Sequence, residues 1–122
     1  ARAGHYHFEN FENFYPLTGT SIWVLLDCRK ESTTYGNIFS FVTTFDDYTS
    51  YEQTVFSIKR NQFAHIVVPP GVYHLFAPLT DEPVTVIATG SVPYKKEDYG
   101  QPEMSLIKKL HFFTSKYGII YQ

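Results

Sequence analysis

The chain has a single cysteine, Cys28, in 122 residues, which excludes an internal disulfide and suits a reducing cytoplasm. No apolar run approaches the ~20 residues that a membrane-spanning helix needs, so no membrane partner is expected. Neither sign of charge dominates: 10 Lys and Arg stand against 12 Asp and Glu, for a net charge of −2. Without a basic patch there is no electrostatic case for nucleic acid. Nothing repeats at a fixed period, which excludes a solenoid or propeller. No secretory leader is read at the start, and the first residue is not Met, so residue 1 is not taken as the gene's start. One domain over residues 1–122 is expected, and a chain of this size buries roughly two-thirds of its unfolded surface.

Aromatics are plentiful, at 18% with ten Tyr and eleven Phe, and they favour strands. Short β-rich runs are read at residues 21–28, 38–44, 54–59, 63–68, 73–77 and 84–89. Between them fall turn signals such as Asp46-Asp47, Pro69-Pro70-Gly71 and Asp81-Glu82-Pro83. The class predicted is all-β, as an antiparallel jelly-roll barrel. At most one short helix is expected, over about residues 102–110. Residues 115–122 read as a last strand on an edge or on a partner subunit. The knot Lys95-Lys96-Glu97-Asp98 reads as a solvated loop.

The chemistry concentrates in two remote pieces. The first is His5-Tyr6-His7, then Glu12, then Gly19; the second runs from Pro69 to His74. His5 and His7 are two apart, so on a strand both rings face one way. Glu12 follows after a gap long enough for the chain to turn back, and Gly19 permits the next tight turn. With His74 these make three imidazoles and one carboxylate, a full ligand set for one divalent transition metal. Zinc, iron, manganese or nickel would suit such a set. Four ligands close a tetrahedral ion, whereas a larger coordination number leaves room for substrate oxygens.

These spacings resemble the two motifs of the cupin superfamily, G-x5-H-x-H-x(3,4)-E-x6-G and G-x5-P-x-G-x2-H-x3-N. The first matches from His5 to Gly19. The second is kept at Pro69, Gly71 and His74, while its leading Gly falls on Phe63 and its trailing Asn on Pro78. In cupins strands usually precede the first motif, yet here four residues do. Either strands precede residue 1, or the tail over residues 112–121 fills their place, within the chain or by exchange in a homodimer.

One branch is resembled more closely, the dTDP-4-dehydrorhamnose 3,5-epimerases. Residues 26–36 are similar to D-x-R-K-x-S-P-T-F-G, residues 68–76 to I-P-x-G-F-A-H-G-F, residues 89–99 to T-x-Y-Y-x-P-x-x-E, and Arg2 to Tyr6 to R-G-L-H-Y. The likeness spans residues 2–99 with an insertion at about 44–60. It implies that Arg2 holds a nucleotide-sugar phosphate and that His5 is the base beside a ketone. The family's catalytic Tyr falls on Ile87, its Lys near Glu12 and its inward Asp on Trp23. With His7 where the family has Gln, these departures move the site toward a metal. They bring it closer to short cupins and to the cupin domain of bifunctional capsular-polysaccharide enzymes, in which zinc is implied.

The resemblance implies an epimerase or isomerase of a nucleotide-linked keto-sugar in polysaccharide assembly. Its rivals are an Fe(II)-dependent dioxygenase and a non-catalytic sugar- or metal-binding cupin. A ligated His5 cannot also be the base, so His65, Tyr73, Tyr15 and Glu9 are the remaining candidates. Tyr73 alternates away from His74, and Trp23 either stacks on a substrate ring or fills the core.

Overall fold

A computed structural model describes residues 2–119. Among these residues nine strands form two sheets, and one α-helix follows them. The strands are β1 (Arg2–His7), β2 (Glu12–Thr18), β3 (Thr20–Asp27), β4 (Ile38–Thr44), β5 (Thr54–Ser57), β6 (Ile66–Val68), β7 (Val72–Pro78), β8 (Thr85–Gly90) and β9 (Tyr99–Gly100); the helix is α1 (Met104–Ser115). The larger sheet has the order β5-β4-β3-β7-β1-β9, and the smaller has the order β6-β2-β8.

The larger sheet is the middle of three layers. Along β3, Ile22, Val24 and Leu26 face one way and pack with Val42, Tyr73, Leu75 and the helix residues Leu106 and Leu110. Trp23 faces the other way and packs with Phe41, Val72 and the small-sheet residues Phe14 and Val68. A strand covered on both faces needs apolar side chains at successive positions, which is why Ile22-Trp23-Val24-Leu25-Leu26 carries no polar alternation. β2 is covered on one face and does alternate, with Phe14 and Pro16 buried between more exposed neighbours.

The β-rich expectation holds, with one α-helix at the C-terminal end. Three details differ from it. β5 pairs parallel to β4, with Phe41 opposite Thr54, so the sheet is mixed, and this pairing is made by the insertion at 44–60. Neither sheet closes on itself. The helix runs past residue 110 to Ser115, and residues 116–118 turn where a strand was expected. Its side chains Leu106, Leu110 and Thr114 are buried at four-residue spacing, a helical period. Its end is closed by bonds from Gly118 N to Ser115 O and from Ile119 N to Thr114 O, the Schellman pattern. The remainder of the expected last strand, residues 120–122, lies outside the described residues. Among the described residues no helix is long and apolar enough to cross a membrane.

Candidate metal centre

Gly4 decides where His5 points. In the β1–β7 ladder Arg2 lies opposite Phe76 and Ala3 opposite Leu75, but His5, not Gly4, lies opposite His74. Gly4 is the extra residue of a bulge, with φ +86°, a conformation that costs other L-residues roughly 1–2 kcal/mol. Paired residues share a face of the sheet. In regular pairing His5 would sit opposite Tyr73, on the helix-covered face; the bulge sets it beside His74 instead. His7 follows on the same face, and Glu12 starts β2 in the sheet packed above.

A second glycine anchors the other motif. Gly71, at φ +83°, donates its N–H to the His7 carbonyl at 2.8 Å, and its own carbonyl accepts from Cys28 N at 2.9 Å. It thereby ties the turn before His74 to both β1 and β3. A Cβ there would come within 2.5 Å of Arg29 Cγ. Arg29 is in turn fixed by Asp27, whose carboxylate accepts from Arg29 N at 3.0 Å, Arg29 Nε at 2.9 Å, Arg29 Nη2 at 3.1 Å and Thr34 Oγ1 at 2.6 Å. Arg29 beside it holds the Asp27 carboxyl well below the usual range, against the effect of burial. The segment that resembles D-x-R-K-x-S-P-T-F-G is thus a braced turn that supports His74 from below.

The four donors converge. One ligand atom from each of His5, His7, Glu12 and His74 lies within 4.8 Å of all the others. Glu12 Oε1 is 3.8 Å from His5 Nε2, 3.7 Å from His74 Nε2 and in direct contact with His7 Nε2. Ligand bonds of about 2.0–2.2 Å imply donor–donor separations of roughly 3–4 Å, so small side-chain shifts complete a coordination shell. His7 and His74 are buried, and the Glu12 side chain is 15% exposed.

Three observations show that these residues fit a cation. The Nε2 atoms of His5 and His74 are buried with no hydrogen-bond partner, and buried polar atoms otherwise find one. His74 Nδ1 faces the Val72 carbonyl at 3.2 Å, so that nitrogen carries the proton and Nε2 keeps its lone pair. His7 stands between two carboxylates, with Nδ1 donating to Asp98 Oδ2 at 3.1 Å and Nε2 against Glu12. Carboxylates only accept, so the ring serves both either as an imidazolium or with a cation between Nε2 and Glu12. Burial pushes the Glu12 carboxyl up, but the nearness of the three imidazoles outweighs it and holds the group far below its ordinary range. Among the described residues this is the group of side chains that could hold a metal ion.

Two residues at the centre escaped the sequence reading. Asp98 is buried, not part of a solvated loop. Its Oδ1 also accepts from Glu9 N at 2.7 Å. Burial raises its pKa, but the bonds from Glu9 N and His7 leave it lowered on balance. Tyr99 lies opposite His7 in the β1–β9 ladder, with its ring centroid 4.4 Å from His5 and 4.7 Å from His7. Burial, and then the Glu12 charge, raise its phenol above the usual value. Neither has a sequence signal beyond lying in the segment that resembles T-x-Y-Y-x-P-x-x-E. Both flank a cavity of about 210 Å³ that opens beside His7 and Glu12 and is otherwise walled by Asn10, Tyr94, Lys95 and the end of β8.

The other expected site residues lie elsewhere. Tyr73 pairs with Leu26 and is buried in the helix-side core, where burial pushes its phenol up to about 12. Trp23 is 1% exposed, donates Nε1–H to Thr43 Oγ1 at 2.9 Å and stacks on Phe76 at 4.6 Å; it fills the core and offers no face to a substrate. His65 donates from Nε2 to Asn13 Oδ1 at 2.7 Å and stacks on Tyr15 at 4.6 Å. Asn13 and Tyr15 alternate with Glu12 and Phe14, so this pair occupies the outer face of β2. His65 lines a separate cleft of about 740 Å³, bordered by Phe39, Phe41, Phe56 and Phe63. Glu9 is exposed and pairs with Lys95 at 3.4 Å. Arg2 is exposed at the start of β1, on the strand face that carries His5. Burial pushes the Cys28 thiol up to about 11, which leaves it un-ionised and unreactive at neutral pH.

The chain matches no protein-family profile, no curated protein and no solved structure.

Proposed function

We propose that this chain is a metal-dependent cupin that acts as an epimerase or isomerase on a nucleotide-linked keto-sugar. The observation that carries the reading is the convergence of His5, His7, Glu12 and His74, with two of their buried nitrogens unpartnered. The arrangement of the motifs supports it. The first spans two strands in facing sheets, the second is the strand beside them, and two sheets packed face to face are the layers of a jelly roll.

A bound divalent cation, zinc first, supplies Lewis-acid stabilisation of charge on a substrate oxygen. His5, His7, Glu12 and His74 would hold it. The cavity beside Glu12 admits the reacting group, and Tyr99 forms its wall next to His5 and His7. Tyr99 is the acid–base group that this reading puts in the role for which sequence had offered His65, Tyr73, Tyr15 and Glu9. Asp98 keeps the His7 proton on Nδ1. Arg2, exposed beyond His5, remains available to a phosphate.

The test is solvent-deuterium exchange into 4-keto-6-deoxy sugar nucleotides by zinc-loaded protein, followed by NMR. Incorporation at the carbon beside the ketone, lost on chelation, supports the reading. No incorporation into any of them, with zinc bound stoichiometrically, removes it. A second reading, a non-catalytic cupin that binds metal and a small ligand, is favoured by the placement of His65 and Tyr73 away from the centre. It predicts ligand-dependent changes in the metal's spectrum without exchange. Oxygen uptake that strictly needs ferrous iron would instead indicate the dioxygenase.

A further inference from the structure

We infer that Asp98 is a positioning residue for the metal donors and that, through it, the wall formed by residues 91–99 is coupled to cation binding. This rests on the metal reading above.

The wall is joined at both of its ends to residues 8–11, the turn that carries the chain from β1 in one sheet to β2 in the other. At the start, Asn10 Oδ1 accepts from Ser91 N at 2.8 Å and from Val92 N at 3.4 Å. At the end, Asp98 accepts through Oδ1 from Glu9 N at 2.7 Å and through its carbonyl from Phe8 N at 3.0 Å. Its other carboxylate oxygen takes the His7 Nδ1–H at 3.1 Å. Between these ends lie Val92, Pro93, Tyr94 and Lys95, which line the cavity. Tyr94 and Lys95 are largely exposed, and the Lys95–Glu9 ion pair at 3.4 Å is solvated on both sides, a contact of little strength.

Asp98 therefore belongs to two structures at once. It closes the wall on the turn between β1 and β2, and it fixes the ring plane and proton position of His7, a candidate metal donor. A carboxylate on the far nitrogen of a metal-binding histidine makes the near nitrogen a better donor, and losing it typically weakens binding 10–100-fold. Linkage makes the effect reciprocal: whatever factor Asp98 adds to cation affinity, the cation adds to the docking of Asp98. The walls that shape the cavity are then held more firmly when the cation is present.

The experiment uses the full chain as wild type, Asp98→Ala, Asp98→Asn and Asn10→Ala. Cobalt(II) affinity is measured by chelator competition, with the visible spectrum as the readout of donor geometry. Amide hydrogen exchange over residues 91–98 is measured with and without zinc(II). Asp98→Ala is expected to weaken cobalt binding by about 10–100-fold and to alter its spectrum. Asp98→Asn keeps the shape and an acceptor oxygen, so it is expected to show a smaller loss in the same direction. Zinc is expected to slow exchange across residues 91–98 in the wild type and to do so much less in Asp98→Ala. Asn10→Ala loosens the wall without touching a donor, so its cobalt spectrum should stay as in the wild type. Cobalt affinity within twofold of wild type in Asp98→Ala, or equal zinc protection in that variant, overturns the inference. If Asp98→Ala does not fold, the same two readouts on Asp98→Asn decide it. Wild-type protein that binds neither metal removes the metal reading itself, a result distinct from a metal-binding protein indifferent to Asp98.

Discussion

At the scale of single residues, the centre depends on one backbone conformation as much as on its donors. Gly4→Ala leaves every ligand in place but strains the bulge by roughly 1–2 kcal/mol. Relief by regular pairing would turn His5 toward the helix side. The expected outcome is a modest loss of stability with a disproportionate loss of zinc affinity, read by urea unfolding and by chelator competition on the same preparation. Removing a donor outright, as in His74→Ala, should weaken zinc more than the 10–100-fold attached to outer partners. Asp27 gives a pH test. Its carboxyl is held low in the folded state, so its contribution to stability is present above the ordinary carboxylate value of 3.8 and fades as acid protonates it below that. Asp27→Asn should therefore destabilise at neutral pH, by about 1–3 kcal/mol for a buried acceptor with unmatched donors. The difference from wild type should shrink as the pH falls below 4 in urea titrations.

At the scale of elements, the helix and the candidate metal centre lie on opposite faces of one sheet. Leu110 is 1% exposed against Ile22, Leu75 and their neighbours, whereas His74 points to the other side. Leu110→Ala should cost about 2–5 kcal/mol of stability, measured by denaturant unfolding, and should leave zinc affinity unchanged wherever the protein remains folded. A coupled loss of affinity would show that the helix props β7 in register. β3 shows why its sequence looked the way it did: flanked by β4 and β7 and covered above and below, it has no solvent face on which polar residues could alternate. The helix was underestimated for a related reason. The expected helix stopped near residue 110, ahead of a last strand at 115–122, but the bond-closed end at Ile119 and the buried spacing of Leu106, Leu110 and Thr114 carry the helical turn on to Ser115. Burial against a sheet outweighs local β preference.

For the whole molecule, the donors are spread over β1, β2 and β7, and thus over both sheets. A cation bound there stitches one layer to the other and to the native state alone. Zinc at 100 times its dissociation constant should stabilise by about 2.7 kcal/mol, and a chelator should lower the thermal midpoint accordingly; no shift would show that the cluster does not hold an ion. The sequence by itself determined which four side chains are candidate donors, the β-rich class and the presence of a C-terminal helix. Each is written in residue identity, short-range spacing or hydrophobic periodicity, which need no knowledge of the rest of the chain. Only the tertiary structure decided that Tyr73 and Trp23 are core, that His65 stands on an outer face, and that Asp98 and Tyr99 attend the centre. Those assignments follow from strand register and from contacts between residues as far apart in sequence as His5 and Tyr99. A one-residue bulge reverses which face a side chain occupies, and no local signal records it.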